Sequence, residues 1–86
     1  MFEISATPQF RKIFSKLENS LQEEALQKIE MLRDASNHIH LRVHKLKGTQ
    51  KKHYSFSVNY KIRVLFIYLT EVEIVLTAIG DHDVYK

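Results

Sequence analysis

The chain contains no cysteine, one proline and only two glycines among its 86 residues. The lack of cysteine excludes a disulfide framework, a thiolate metal site and a cysteine nucleophile, and it fits a reducing compartment. With Gly48 and Gly80 as the only glycines, no glycine-rich phosphate loop can be built, so nucleotide-binding α/β domains that depend on one are excluded. No apolar run approaches the roughly 20 residues of a membrane span. The start, Met1-Phe2-Glu3-Ile4, carries an acid where a secretory leader carries bases. A cytoplasmic protein without a membrane partner is the expectation. What is present is ordinary globular material, 44% hydrophobic and 27% charged, in a chain of 10.2 kDa. One domain over residues 1–86 is expected, with a small core that removes roughly 60–65% of the unfolded surface from water.

Acid is also missing, but only from one part of the chain. Residues 1–43 hold six bases and six acids, whereas residues 44–70 hold Lys45, Lys47, Lys51, Lys52, Lys61 and Arg63 and no carboxylate. Residues 71–86 hold four acids and one base, which brings the whole chain to +3. A solvated surface normally mixes both signs. A stretch this long without an acid predicts a positive face, and the usual ligand of such a face is a phosphate backbone. The plainer reading is a lysine-rich loop that serves solubility. His44 and His53 inside the stretch favour a site.

Period-2 and helical patterns give a coarse order of elements. Phe2, Ile4 and Ala6 alternate with polar residues as a short strand does. Thr7-Pro8 reads as a helix cap followed by proline in the first turn, and Phe10, Ile13, Phe14 and Leu17 carry the helix over roughly 8–18. Ser20 to Glu23 reads as a capping box for a second helix with a stripe of Leu21, Ala25, Leu26, Ile29 and Leu32, ending near Asp34. The short connection makes the two helices an antiparallel hairpin. After Asn37 the pattern turns to strands. Ile39, Leu41 and Val43 alternate, Gly48 to Lys52 forms a basic loop, and Tyr54, Phe56, Val58 and Tyr60 share one face opposite Ser55, Ser57 and Asn59. Ile62 to Leu69 reads as a central strand buried on both sides. Glu71-Val72-Glu73 turns the chain into a last strand, Ile74 to Ile79, and Gly80 releases a tail. The fold class is α+β in the order β-α-α-β-β-β, with the helix hairpin on one face of a small, mostly antiparallel sheet.

The chemistry available is that of His, Lys, Arg and Tyr. Two of the four C-terminal carboxylates, Glu71 and Glu73, sit in a turn, so a paired-carboxylate hydrolase is a poor fit. Several converging acids for a magnesium site are not evident. His38, His40 and His44 form at most a weak zinc pattern, and exposed strand histidines account for them better. RNA can be cut with these residues because it carries its own nucleophile. An imidazole or a lysine can take the 2′-OH proton, cations can hold the phosphorane, and an imidazolium or a tyrosine can protonate the leaving oxygen. Composition permits this chemistry without singling it out.

The element order, the segment Val43-His44-Lys45-Leu46-Lys47-Gly48, the strands around Tyr54 to Phe66 and the ending Ile79-Gly80-Asp81-His82-Asp83-Val84-Tyr85 together resemble the RelE/ParE superfamily of bacterial toxins. Within it the chain is most similar to RelE and YafQ-type mRNA interferases, over nearly its whole length. The resemblance implies a toxin of a type II toxin–antitoxin system. Such a toxin is a metal-free endoribonuclease that cuts mRNA on the ribosome, needs no cofactor and is neutralised by a cognate antitoxin lying across its basic surface. By position, His44 and Lys47 match the family's HxLxG segment, and Arg63 matches the arginine of its YRVLF-like central strand. His82 matches the basic residue after the late glycine, and Tyr85 the aromatic that ends the motif.

The resemblance thus implies His44 and His82 as the proton-transfer pair, in either assignment of acid and base, with Arg63 on the phosphate. Tyr85 would stack on a base or orient the 2′-OH. Lys45, Lys47, Lys51, Lys52 and Lys61 would meet RNA phosphates. Structural roles compete with each: His44 as a merely exposed residue, Arg63 paired with Glu73, Tyr85 capping the core, His82 bridging Asp81 and Asp83. Where YafQ-type members carry a further histidine this chain has Ser57, with His53 in the neighbouring loop. The ParE branch of the same fold inhibits DNA gyrase instead, and a non-catalytic relative is a third reading. His44, His82 and Tyr85 favour the nuclease.

Overall fold

The computed structural model describes residues 1–50 and 52–85. Lys51, one of the lysines expected on RNA, lies outside the described residues. Strand β1 (Glu3–Ala6) is followed by helices α1 (Pro8–Ser15) and α2 (Asn19–Leu32), then by strands β2 (His44–Lys45), β3 (Tyr54–Ser57), β4 (Arg63–Thr70) and β5 (Glu73–Gly80). Single 3₁₀ turns occupy Ala35–Asn37, Gly48–Gln50 and His82–Tyr85. The five strands form one sheet in the order β1-β5-β4-β3-β2. β1 runs parallel to β5 and every other pair is antiparallel. No helix among the described residues is long and apolar enough to cross a membrane.

The start of α1 follows from its residues. Thr7 Oγ1 accepts the Phe10 amide at 3.1 Å, and Pro8 fills a first-turn position where no amide is needed. The helix stops at Ser15, earlier than its apolar spacing predicts. The Ser20–Glu23 capping box does not form. α2 begins at Asn19, with Glu18 at its N-cap and no side-chain cap. Its first turn is held instead by the Gln22 amide on the Glu18 carbonyl at 2.9 Å, so Ser20 already lies inside the helix. Gln22 Nε2 also donates to the Phe14 carbonyl at 2.9 Å, tying the two helices together.

The strand expected over Ile39–Val43 is not formed. The Leu41 amide bonds Asn37 O at 3.1 Å, Arg42 bonds Ile39 O at 3.1 Å and Val43 bonds His38 O at 3.0 Å. With these groups satisfied locally, β2 shrinks to two residues. The alternation also has no common face to serve, since Leu41 is buried while Ile39 is 87% exposed. His38 is no exposed strand residue: its ring stacks on Phe2 and its Nε2 lies 2.8 Å from the Leu32 carbonyl. β3 likewise ends at Ser57, short of Tyr60. Asn59 Oδ1 accepts the amides of Lys61 and Ile62 at 2.9 and 2.8 Å, an Asx turn that stops the strand and turns Tyr60 into water. The hairpin after β4 closes without Gly or Asn because Thr70 Oγ1 accepts the Val72 amide at 3.2 Å.

Residues opposite one another on antiparallel strands share a face, which sorts the sheet into two surfaces. The rows Tyr54–Phe66–Leu76 and Phe56–Val64–Ile79 face the helices. There they join Phe10, Ala25, Leu32, Leu41 and Ile74 in the core. The rows His44–Ser55–Leu65–Ala78 and Ser57–Arg63–Gly80 face the other way. The site is built on this second face.

Candidate functional site

His44 is exposed on β2, with Nδ1 3.0 Å from the Arg42 carbonyl and Ser55 directly across from it on β3. Ser55 is fully buried although it lies on the face away from the helices. The cover is the C-terminal 3₁₀ turn, which folds back over β4 and β5 and sets Tyr85 Oη 2.8 Å from Ser55 Oγ. Two further contacts hold that turn. Gln50 Nε2 donates to the Tyr85 carbonyl at 3.0 Å. A Cβ placed on Gly80 would stand 2.8 Å from Val84 Cγ1, so the absence of a side chain there is what lets the turn lie so close. His82 stays exposed, its ring edge-on to Tyr85 with centroids 5.5 Å apart.

Arg63 opens the central strand between Ser57 and Gly80. Its Nη1 donates to the Asn59 carbonyl at 2.6 Å and to the Ile62 carbonyl at 3.4 Å. Glu73, proposed as a structural partner, sits at the far end of β5 opposite Thr70. Among the described residues no carboxylate lies within ion-pair distance of Arg63, and the ion pair that does form is Arg33 with Glu30 at 3.2 Å. Main-chain carbonyls therefore fix the guanidinium without neutralising it.

The described lysines of the acid-free stretch are spread over two clefts and one exposed position. Lys45 and Lys52 line a cleft of about 560 Å³ with His53, Tyr54, Ile67, Tyr68 and Thr77. Lys61 lines a smaller one, about 310 Å³, with Tyr60, Asp81, His82 and Asp83. Lys47 is exposed after β2. His44, Tyr85 and His82 thus form one connected group through Ser55, while Arg63 stands in the neighbouring row and the lysines lie in the flanking clefts. Among the described residues no three His, Asp or Glu side chains come together as a metal site. Sequence reasoning missed Ser55 and Gln50, both of which anchor the tail. Ser55 read as the outward half of an alternating strand, and nothing in the local pattern announced that the chain's end would cover it.

The HigB-like toxin family, described as RelE-like toxin of type II toxin–antitoxin system HigB, matches residues 4–82. The fold is shared with solved toxin structures. The archaeal RelE–RelB complex from Pyrococcus horikoshii OT3 aligns with a TM-score of 0.73 at 17% identity over 93% of each chain. The YoeB–YefM complex from Staphylococcus aureus gives 0.72 at 16% identity, covering 95% of this chain and 98% of that one. YafQ from E. coli strain BL21(DE3) gives 0.69 at 13% identity over 99% and 98%. No curated protein matches the sequence. A five-stranded mixed sheet carrying two helices, matched over nearly the whole chain by one family, places this protein in the HigB-like family of RelE-like toxins of type II toxin–antitoxin systems.

Proposed function

We propose that this toxin is a ribosome-dependent endoribonuclease that cuts mRNA in the cytoplasm by attack of the 2′-OH on the adjacent phosphate, and that a cognate antitoxin neutralises it. The observation that carries this reading is the assembly of His44, Arg63, His82 and Tyr85 on the open face of a sheet, within a surface whose lysines have no acid among residues 44–70. The 2′-oxygen–phosphorus bond forms as the phosphorus–5′-oxygen bond breaks, leaving a 2′,3′-cyclic phosphate and a 5′-hydroxyl. One of His44 and His82 takes the 2′-OH proton and the other delivers a proton to the leaving 5′-oxygen. Arg63, held by Asn59 and Ile62, bears on the negative charge of the phosphorane. Tyr85 keeps His82 in place through its edge-on ring contact, and Lys45, Lys47, Lys51, Lys52 and Lys61 meet phosphates of mRNA and ribosomal RNA. RNA supplies the nucleophile, so the scheme calls for no metal.

Primer extension on a defined mRNA, with and without programmed ribosomes and with EDTA present, tests this directly. Cuts that need the ribosome, persist in EDTA and fall at least about 100-fold in His82→Ala or Arg63→Ala are expected from the size of general acid–base and electrostatic effects. Absence of cuts in every lane would turn attention to gyrase, and a supercoiling assay would then decide between gyrase inhibition and a non-catalytic relative.

A further inference from the structure

The open face continues past Arg63 into a basin of about 450 Å³ lined by His40, Arg42, Ser57, Asn59, Tyr60 and Arg63. The roles given above for cleavage do not use His40, Arg42 or Tyr60. The basin has two guanidinium groups and an imidazole on its walls and no carboxylate.

Its construction is unusual at two points. Arg42 has φ of 58°, the left-handed region that favours glycine, and among the described residues it is the only non-glycine there. Strain of this kind persists where the surroundings enforce it, and it gathers at functional positions. The residue so held lines the basin, while its carbonyl lies 3.0 Å from His44 Nδ1. Tyr60 is 93% exposed, yet it stands on a clamped turn. Asn59 Oδ1 holds the next two amides, Asn59 Nδ2 donates to Glu24 at 2.8 Å, and the Asn59 carbonyl accepts from Arg63 at 2.6 Å. An exposed ring on a fixed backbone is a stacking platform at little cost in order. Tyr60 also lines the cleft of Lys61, His82, Asp81 and Asp83, so it stands between that hollow of mixed charge and the acid-free basin.

We propose that this basin is a nucleotide subsite for single-stranded RNA next to the cut. Tyr60 stacks on a base, and Arg42 and His40 receive the phosphate next to the one on which Arg63 bears. The inference rests on the RNA-cleavage reading and extends it to residues that reading does not need.

The test is a titration of the intact, isotopically labelled protein with a 2′-O-methyl hexanucleotide, which cannot be cut, followed by NMR so that weak binding is still seen. Resonances of Tyr60, Arg42 and Arg63 are expected to move. Binding should weaken about 10-fold or more in Tyr60→Ala and be retained in Tyr60→Phe, as stacking on an aromatic ring requires. Arg42→Gly should weaken binding while leaving Tm unchanged or up to about 4 °C higher, because glycine adopts this φ without strain. Several outcomes overturn the proposal. One is oligonucleotide shifts confined to Lys45, Lys52 and His82, which leaves the cleavage reading intact. Others are the absence of any shift, basin shifts only with an acidic peptide, and a fall in Tm for Arg42→Gly as large as its loss of binding. Primer extension on ribosomes reports separately on the cleavage reading, so the two failures are distinguishable.

Discussion

Single residues carry the site through bonds that span the chain. The Ser55–Tyr85 hydroxyl pair joins positions 30 residues apart and locks the tail onto the sheet. Tyr85→Phe leaves the buried Ser55 hydroxyl without its partner and should cost about 1–3 kcal/mol in urea unfolding, whereas Ser55→Ala, which leaves the half-buried tyrosine hydroxyl nearer to water, should cost only about 0.5–1.5 kcal/mol. The double variant should lose less than the sum of the two. Two other residues each add a pH dependence to stability. The Ser36 amide and then the Ser36 hydroxyl hold Asp34 below the usual carboxylate range. Its contribution is present above the unfolded value near 3.8 and is lost as pH falls through the lowered one. Burial, followed by the neighbouring Tyr54, pushes Tyr68 above its ordinary value of 10.0. Above pH 10 the unfolded chain therefore releases its Tyr68 proton first, and native stability falls until the raised value is passed. The difference in unfolding free energy between wild type and Tyr68→Phe, followed from pH 9 upward, should change in that window, and a pH-independent difference would contradict it.

Among the elements, the C-terminal 3₁₀ turn is the one on which the site depends, because it brings both His82 and Tyr85 to the sheet. Its seat is the bare Cα of Gly80 against Val84. A methyl at 80 must displace a valine that is stiff about its first torsion, so Gly80→Ala should lift the turn. The signature is faster amide exchange over residues 82–85 and loss of cleavage, with the rest of the sheet protected as before. Adding Val84→Ala removes the obstructing methyl and should restore much of both. If Gly80→Ala leaves exchange and activity untouched, the turn is not the positioning element described here.

For the molecule as a whole, charge distribution matters more than net charge. The Cα radius of gyration is 11.9 Å, matching the roughly 12 Å expected of a compact chain of this length. Lys45 and Lys52 line one cleft, Lys61 lines another and Arg63 opens β4, all from the acid-free stretch, so association with RNA should be strongly salt-dependent. A log–log slope of about −0.7 per phosphate contacted is expected for single strands. Exchanging Lys45 and Lys52 together for Gln should flatten the slope by about one to two such steps while leaving Tm nearly unchanged. A flat salt response in wild type would remove phosphate contact as the source of affinity.

Much of this was legible before the chain was folded. Helix positions, the two-sided burial at Val64, Leu65 and Phe66 within the expected Ile62 to Leu69 strand, whose end at Leu69 is exposed instead, and the acid-free stretch follow from local spacing and composition, because burial on one face imposes a period wherever an element is long enough. Short segments carried weaker signals. Ile39, Leu41 and Val43 alternate as a strand does, but the amides of Leu41, Arg42 and Val43 bond the nearby carbonyls of Asn37, Ile39 and His38 instead. Tyr60 continues a strand pattern that the Asn59 side chain cuts off. The parallel pairing of Glu3 with Glu73 and the seating of Tyr85 on Ser55 join the two ends of the chain to its interior. No local period encodes such contacts, because they exist only once the intervening residues have closed the distance. The chain alone therefore specified its longer elements, its basic stretch and the residue types for the chemistry; folding decided the short elements and which residues face one another.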